Sequence, residues 1–123
     1  MEVKTVKFKF EKLRIWKDAM DLGEDIFKIS SAFPKEEIYN LTSQIRRASD
    51  SIALNISEGS ILQSNPEYQR FLGYSIRSIA EVVTCHYKAE KRNYIRSDEF
   101  DLLYQRCFDL MNMTIAFRKT LNS

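Results

Sequence analysis

Glycine and proline are scarce, three and two in 123 residues. A β protein turns often and uses both to do so, which disfavours a turn-rich β architecture here. Histidine is scarcer still: His86 stands alone. A dinuclear metal bundle needs Glu-x-x-His on two helices, and the pair His86 and Glu90, one turn apart, is too little for a metal site. No serine or cysteine can be given a base from sequence, and no glycine-rich phosphate loop is present. The chain is therefore expected to hold no metal and no cofactor and not to be an enzyme. Cys85 and Cys107 are the two cysteines. They lie in apolar helical stretches without metal-ligand spacing, as buried reduced thiols of a cytoplasmic protein would. No apolar run reaches the roughly 18 residues of a membrane span, and the first twenty residues are charged throughout, so neither a span nor a signal peptide is expected. An excess of one charge is also missing. Nineteen Lys and Arg against 17 Asp and Glu leave +2, so any nucleic-acid surface must come from local clustering or from several copies.

What is present is helical periodicity. From Leu13 two adjacent apolar stripes run side by side: Leu13, Trp16, Met20, Gly23, Phe27, and Ile15, Ala19, Leu22, Ile26, Ile29, Phe33. Together they make the broad face of a bundle helix. Pro34 ends it. Glu36 and Glu37 open a second helix, near the positive end of its dipole. Its seam is Ile38, Leu41, Ile45, Ala48, Ile52, Asn55, with Gly59 as the stop. Ser64-Asn65-Pro66-Glu67 starts a third, with seam Tyr68, Leu72, Ser75, Ile79, Val82, His86, Ala89. Ser97-Asp98-Glu99 starts a fourth, with seam Phe100, Leu103, Cys107, Leu110, Thr114, Phe117, Leu121.

The helices are expected near 13–32, 36–59, 66–91 and 98–121. Short connections make neighbours antiparallel, and the 3,4 spacing favours small crossing angles. The fold predicted is all-α, an up-down-up-down antiparallel four-helix bundle with a left-handed twist over residues 13–123. Residues 1–12 form a basic arm. There Val6, Phe8 and Phe10 alternate with Thr5, Lys7 and Lys9, the pattern of an extended segment.

The stretch Ser51 to Ser60, SIALNISEGS, carries Asn55, Glu58 and Gly59 where a bundle helix should stay apolar. It is either a functional site or a polar joint between two helices. An antiparallel hairpin turning near Gln63 sets Asn55 beside Phe71, Glu58 beside Tyr68, and Arg47 beside Ser78 to Glu81. In that register Glu58 can accept from the open N–H groups of helix three or from the Tyr68 hydroxyl, Asn55 can bond across the seam, and Arg47 can pair with Glu81. The joint is expected to comprise Asn55, Glu58, Gly59, Ser78 and Glu81.

Basic residues gather in three places: Lys4, Lys7, Lys9, Lys12, Arg14 and Lys17; Arg46 and Arg47; and Lys88, Lys91, Arg92 and Arg96 beside Tyr87 and Tyr94. A solvated charged face and a phosphate-binding surface both fit this pattern.

Three motifs carry a resemblance. They are Phe10-x-x-Leu13-x-x-Trp16-Lys17-x-Ala19; Phe33-Pro34-x-x-Glu37-x-Tyr39-x-Leu41-x-x-Gln44-Ile45-Arg46-Arg47-Ala48; and Ser51-Ile52-x-x-Asn55-Ile56-x-Glu58-Gly59. With Phe71-Leu72, Ser78-x-x-Glu81 and Tyr94-Ile95 they resemble the four-helix-bundle proteins encoded in intervening sequences of bacterial 23S ribosomal RNA genes, over about residues 8 to 121. That family is similar to the accessory variability determinant of diversity-generating retroelements, a pentamer that binds nucleic acid and a reverse transcriptase. The resemblance implies a homopentamer with a basic surface and no catalysis. It makes nucleic acid, RNA before DNA, the expected ligand. A scaffold for an acidic or polymerase-like protein, without direct nucleic-acid binding, is the alternative. The sequence departs from the family pattern in three places: at Ala53 in place of proline, at Arg77 in place of glycine, and in the loop residues Leu62 and Gln63, where a basic residue is frequent.

Overall fold

The computed structural model describes residues 7–62 and 64–122. These contain four α-helices, α1 (Arg14–Ser30), α2 (Leu41–Ser60), α3 (Asn65–Lys91) and α4 (Ser97–Lys119), and two 3-10 turns, Lys9–Lys12 and Lys35–Glu37. Among the described residues there is no strand. Helix α1 packs on α2, α2 on α3, α3 on α4, and α4 closes the square on α1. The polar links between helices run antiparallel. Ser75 Oγ donates to the Ile52 carbonyl (2.8 Å) while Ser51 and Ser78 share a hydroxyl–hydroxyl bond, and Arg118 near the end of α4 donates to the Gln69 carbonyl near the start of α3 (2.7 Å). The up-down-up-down bundle is the fold expected.

The core follows the seams. Leu72, Ser75, Ile79, Val82, His86 and Ala89 of α3 are all buried, as are Phe100, Leu103, Cys107, Leu110 and Thr114 of α4. In α1 only one of the two stripes is central. Ile15, Ala19, Leu22 and Ile26 are buried, whereas Met20 and Phe27 are exposed, because a helix at the corner of a square presents one arc to the core.

The helix ends differ from expectation in three places. Helix α2 begins at Leu41 and not at Glu36, because Pro34 to Glu37 closes a separate 3-10 turn and Asn40 (φ −128°, ψ −104°) breaks helical geometry before Leu41. Helix α2 does not stop at Gly59 but runs through it to Ser60. Glycine is needed there for space: an added Cβ would lie 2.8 Å from Phe71 Cβ and 3.1 Å from Tyr68 Cδ1. The expected extended arm is, in its described part, a 3-10 turn over Lys9–Lys12. The Glu11 carboxylate accepts the Phe8 N–H (3.1 Å) and folds the chain back. Val6 and Thr5 of the alternation lie outside the described residues.

The other ends follow the sequence. Ser64 accepts the Glu67 N–H (3.3 Å), a capping side chain ahead of Pro66. Helix α3 closes with a paired C-terminal motif: Asn93 N–H donates to Glu90, and Tyr94 N–H to Ala89. Asn93 supplies the left-handed residue this motif needs, at φ 62°.

His86 is buried in the α3–α4 seam, edge-on to Phe100 (6.4 Å between ring centres), and its Nε2 has no hydrogen-bond partner among the described residues. Burial lowers its pKa from 6.5 to about 4.

Two outcomes follow from this packing. Gly59→Ala should cost about 1–3 kcal/mol by overpacking the α2–α3 seam, measured by urea denaturation, while Asn93→Gly should not destabilise the protein. The unfolded chain binds a proton at His86 near pH 6.5 that the folded chain refuses until about pH 4, so stability falls as pH drops through this window, by about 3 kcal/mol in all. Stability curves at pH 7.0, 5.5 and 4.5 should slope for the wild type and flatten for His86→Leu.

Candidate nucleic-acid interface

The helix ends decide which cations are free. Glu37 stands in the turn before α2 and is buried. Its carboxylate accepts from the Tyr94 hydroxyl (2.8 Å), Arg92 Nη1 (3.0 Å), Asn40 Nδ2 (3.1 Å) and the Leu41 N–H (3.3 Å). The α1–α2 connection is thereby tied to the α3–α4 turn, where the close of α3 has aimed Tyr94. The tyrosine bond is the largest cause holding the Glu37 carboxyl below its ordinary range; the Leu41 N–H, Arg92 and Asn40 act the same way, and burial opposes them. The motifs that contain Glu37 and Tyr94 carry no sign of this partnership, and Arg92, expected among the phosphate-binding residues, is taken up by it.

Arg46 and Arg47 point different ways, since adjacent helical residues lie about 100° apart. Arg46 caps α1. Its Nε donates to Ser30 Oγ (2.8 Å), its Nη2 to the Phe27 carbonyl (3.2 Å) and Ser31 Oγ (3.0 Å), and its guanidinium lies 4.2 Å from the Phe27 ring centre. A cation there complements the helix's negative end. Arg47 enters the groove between α2 and α3, a space of about 540 Å³ also lined by Gln44, Ser51, Glu81, Thr84 and Lys88. Arg47 and Glu81 share this groove but form no ion pair among the described residues, which departs from the expected pairing. Cys85 forms part of the wall, and burial pushes its thiol pKa up.

The remaining candidates divide in the same manner. Arg14 pairs with Asp18 (3.5 Å), and Arg96 with Asp98 (3.1 Å). Lys7, Lys9, Lys12, Lys17, Arg47, Lys88 and Lys91 are exposed and make no ion pair among the described residues. They form two groups at opposite ends of the bundle. Arg47, Lys88 and Lys91 lie toward the start of α2 and the end of α3; Lys7, Lys9, Lys12 and Lys17 surround the start of α1. The seventeen residues of α1 separate them, about 25 Å at 1.5 Å per residue.

The SIALNISEGS residues also separate. Ser78 and Gly59 lie in the α2–α3 seam. Among the described residues Asn55 does not bond across it; its amide donates to the Ser51 carbonyl of its own helix (2.8 Å). Glu58 is exposed and accepts neither from α3 nor from Tyr68 among the described residues. The register is the cause: Gly59, not Glu58, faces Tyr68, and Ser75 reaches Ile52. Among the described residues no group of three or more His, Cys, Asp or Glu is placed to hold a metal, and no helix is long and apolar enough to cross a membrane.

A family model described as 23S rRNA-intervening sequence protein matches residues 11–116. The fold is similar to a crystal structure, at 1.70 Å resolution, of a protein with unknown function from the S23 ribosomal protein family of Bacteroides thetaiotaomicron. The TM-score is 0.79 at 16% identity, covering 85% of this chain and 98% of that one. No curated protein matches the chain.

Arg46 and Arg47 should part in experiment. Arg46→Ala should lose about 1–2 kcal/mol of stability with the α1 cap, whereas Arg47→Ala should stay within about 0.5 kcal/mol of wild type. Tyr94→Phe, which removes the largest support of Glu37, should lower the melting temperature by roughly 4–8 °C. Thermal and urea melts of the three variants check both statements.

Proposed function

The chain belongs to the 23S rRNA-intervening sequence protein family, and from that premise we propose that it is a non-enzymatic, self-associating protein that binds nucleic acid, RNA in preference to DNA, through repeated basic patches. The observation that carries this reading is the division of the cations. Arg46 and Arg92 are consumed in holding helix ends, while Arg47 and Lys88, near them in space, stay unpaired on the rim of the α2–α3 groove. Exposed Lys and Arg without acidic partners are available to phosphates, and binding them releases counterions.

Self-association has two supports. The free cations of one chain form two separate groups, and self-association would repeat those groups around a common axis. The flank of α3 and α4 is also apolar. Phe100, Tyr104 and Phe108 follow one another along α4 (6.0 and 6.4 Å between ring centres), Tyr87 meets Phe100 at 4.9 Å, and Tyr87 and Phe108 are 45% and 52% exposed. A surface of this kind suits burial against protein. Five copies, and a reverse transcriptase as a protein partner, are what the motif resemblance implies, and both belong to this proposal.

Size exclusion with light scattering tests the reading, run with and without a structured RNA at low and moderate salt. The expected result is five copies of the 14.5 kDa chain, about 72 kDa, shifting with RNA and losing the shift as salt rises. A particle indifferent to both RNA and DNA would contradict it and favour the protein scaffold. Arg47→Ala should reduce the salt slope by about one per binding subunit.

A further inference from the structure

We propose that Phe8 is a platform on which an unpaired base of single-stranded nucleic acid stacks, with Lys7, Lys9 and Lys12 beside it for the flanking phosphates. The inference rests on the nucleic-acid reading above and names a ligand class and a site for it.

The geometry is that of a built shelf. Phe8 stacks on Phe10 with ring centres 5.4 Å apart and planes 15° apart, and Phe10 leans on Trp16 at 5.1 Å and 56°. Trp16 is half-buried at the start of α1 and packs against the core, so the aromatic series is anchored at its inner end. The backbone is fixed as well. Glu11 accepts the Phe8 N–H (3.1 Å) and returns its own N–H to the Phe8 carbonyl (3.1 Å), and Leu13 N–H donates to the Phe10 carbonyl (3.0 Å). Yet Phe8 is 63% exposed. One face meets Phe10, and among the described residues no other ring packs on it. A rigid phenyl ring held in water is an unfavourable arrangement for packing alone and a favourable one for stacking, because every base has a π face.

Charge selects the ligand. Lys7, Lys9 and Lys12 are exposed on the same short turn, and Lys17 follows one helical turn beyond Leu13. Lysines alternating with stacked aromatics match a strand whose bases and phosphates alternate. The groove that Phe10 and Trp16 line with α1 and α2 also holds Glu24 and Asp50, which repel phosphate and disfavour that groove as the path of the backbone. The family match begins at residue 11, so Phe8 lies outside the matched segment.

The test uses the full chain and fluorescence anisotropy with three probes: a uridine dodecamer, the same strand with abasic sites, and an RNA duplex. Phe8→Leu keeps an apolar side chain and removes the ring; Phe8→Trp keeps a ring; melting temperatures confirm that both fold. Phe8→Leu should weaken the dodecamer about tenfold, leave duplex affinity and the salt slope unchanged, and bind the abasic strand as wild type does, while Phe8→Trp should retain dodecamer affinity. If wild type binds the dodecamer and Phe8→Leu binds it equally well, or if duplex affinity falls by the same factor, the platform is overturned and phosphate binding stands. If wild type binds none of the three probes, the nucleic-acid reading fails and takes the platform with it.

Discussion

The close approach of α2 and α3 constrains the rest of the molecule. Along this seam small residues face each other: Ser51 meets Ser78, Ser75 bonds directly to the Ile52 carbonyl, and Gly59 leaves no room for a Cβ against Phe71. Hydroxyls satisfied across or within the seam carry no penalty for burial, so the two backbones can be drawn together on polar side chains. That contact fixes the direction of the rest of α2, and with it where Arg46 and Arg47 point.

A second constraint acts at the end of the bundle where α2 begins. One buried carboxylate, Glu37, collects four donors from two segments, the start of α2 and the α3–α4 turn. A carboxylate buried with fewer partners would be costly, so the α1–α2 connection and the α3–α4 turn are set as a unit. Together with the Arg46 cap on α1 this ties both connections at that end. The cations used in these tasks are unavailable to a ligand, and those left over define the candidate surface. Function here is read by subtraction: what the fold does not use for itself remains accessible.

The architecture was legible in the sequence because apolar spacing is local. The seams of α3 and α4 name core residues almost one for one, and Ser64-Asn65-Pro66-Glu67 marks the start of α3 within a residue. Interactions between segments distant in the chain were not legible. Nothing in the sequence around Glu37 says that Tyr94 and Arg92 will reach it across 57 and 55 residues. Nothing in the pair Arg46-Arg47 says which side chain caps a helix. Gly59 reads from sequence as a stop and as part of the joint; the structure runs α2 one residue past it and makes it a close contact with α3. Asn55 and Glu58 were given cross-seam roles that depend on a register finer than helix spacing provides. The site residues thus divide by the range of the interaction that decides them.

The central claim is that the cations left unpaired by the fold are the ones that meet nucleic acid. Lysine modification by an acylating reagent, read by mass spectrometry with and without bound RNA, tests it most directly. Lys88 and Lys91 at one end and Lys9, Lys12 and Lys17 at the other should be protected by RNA. Unchanged reactivity at all of them, in a sample where RNA is shown to be bound, would contradict the account.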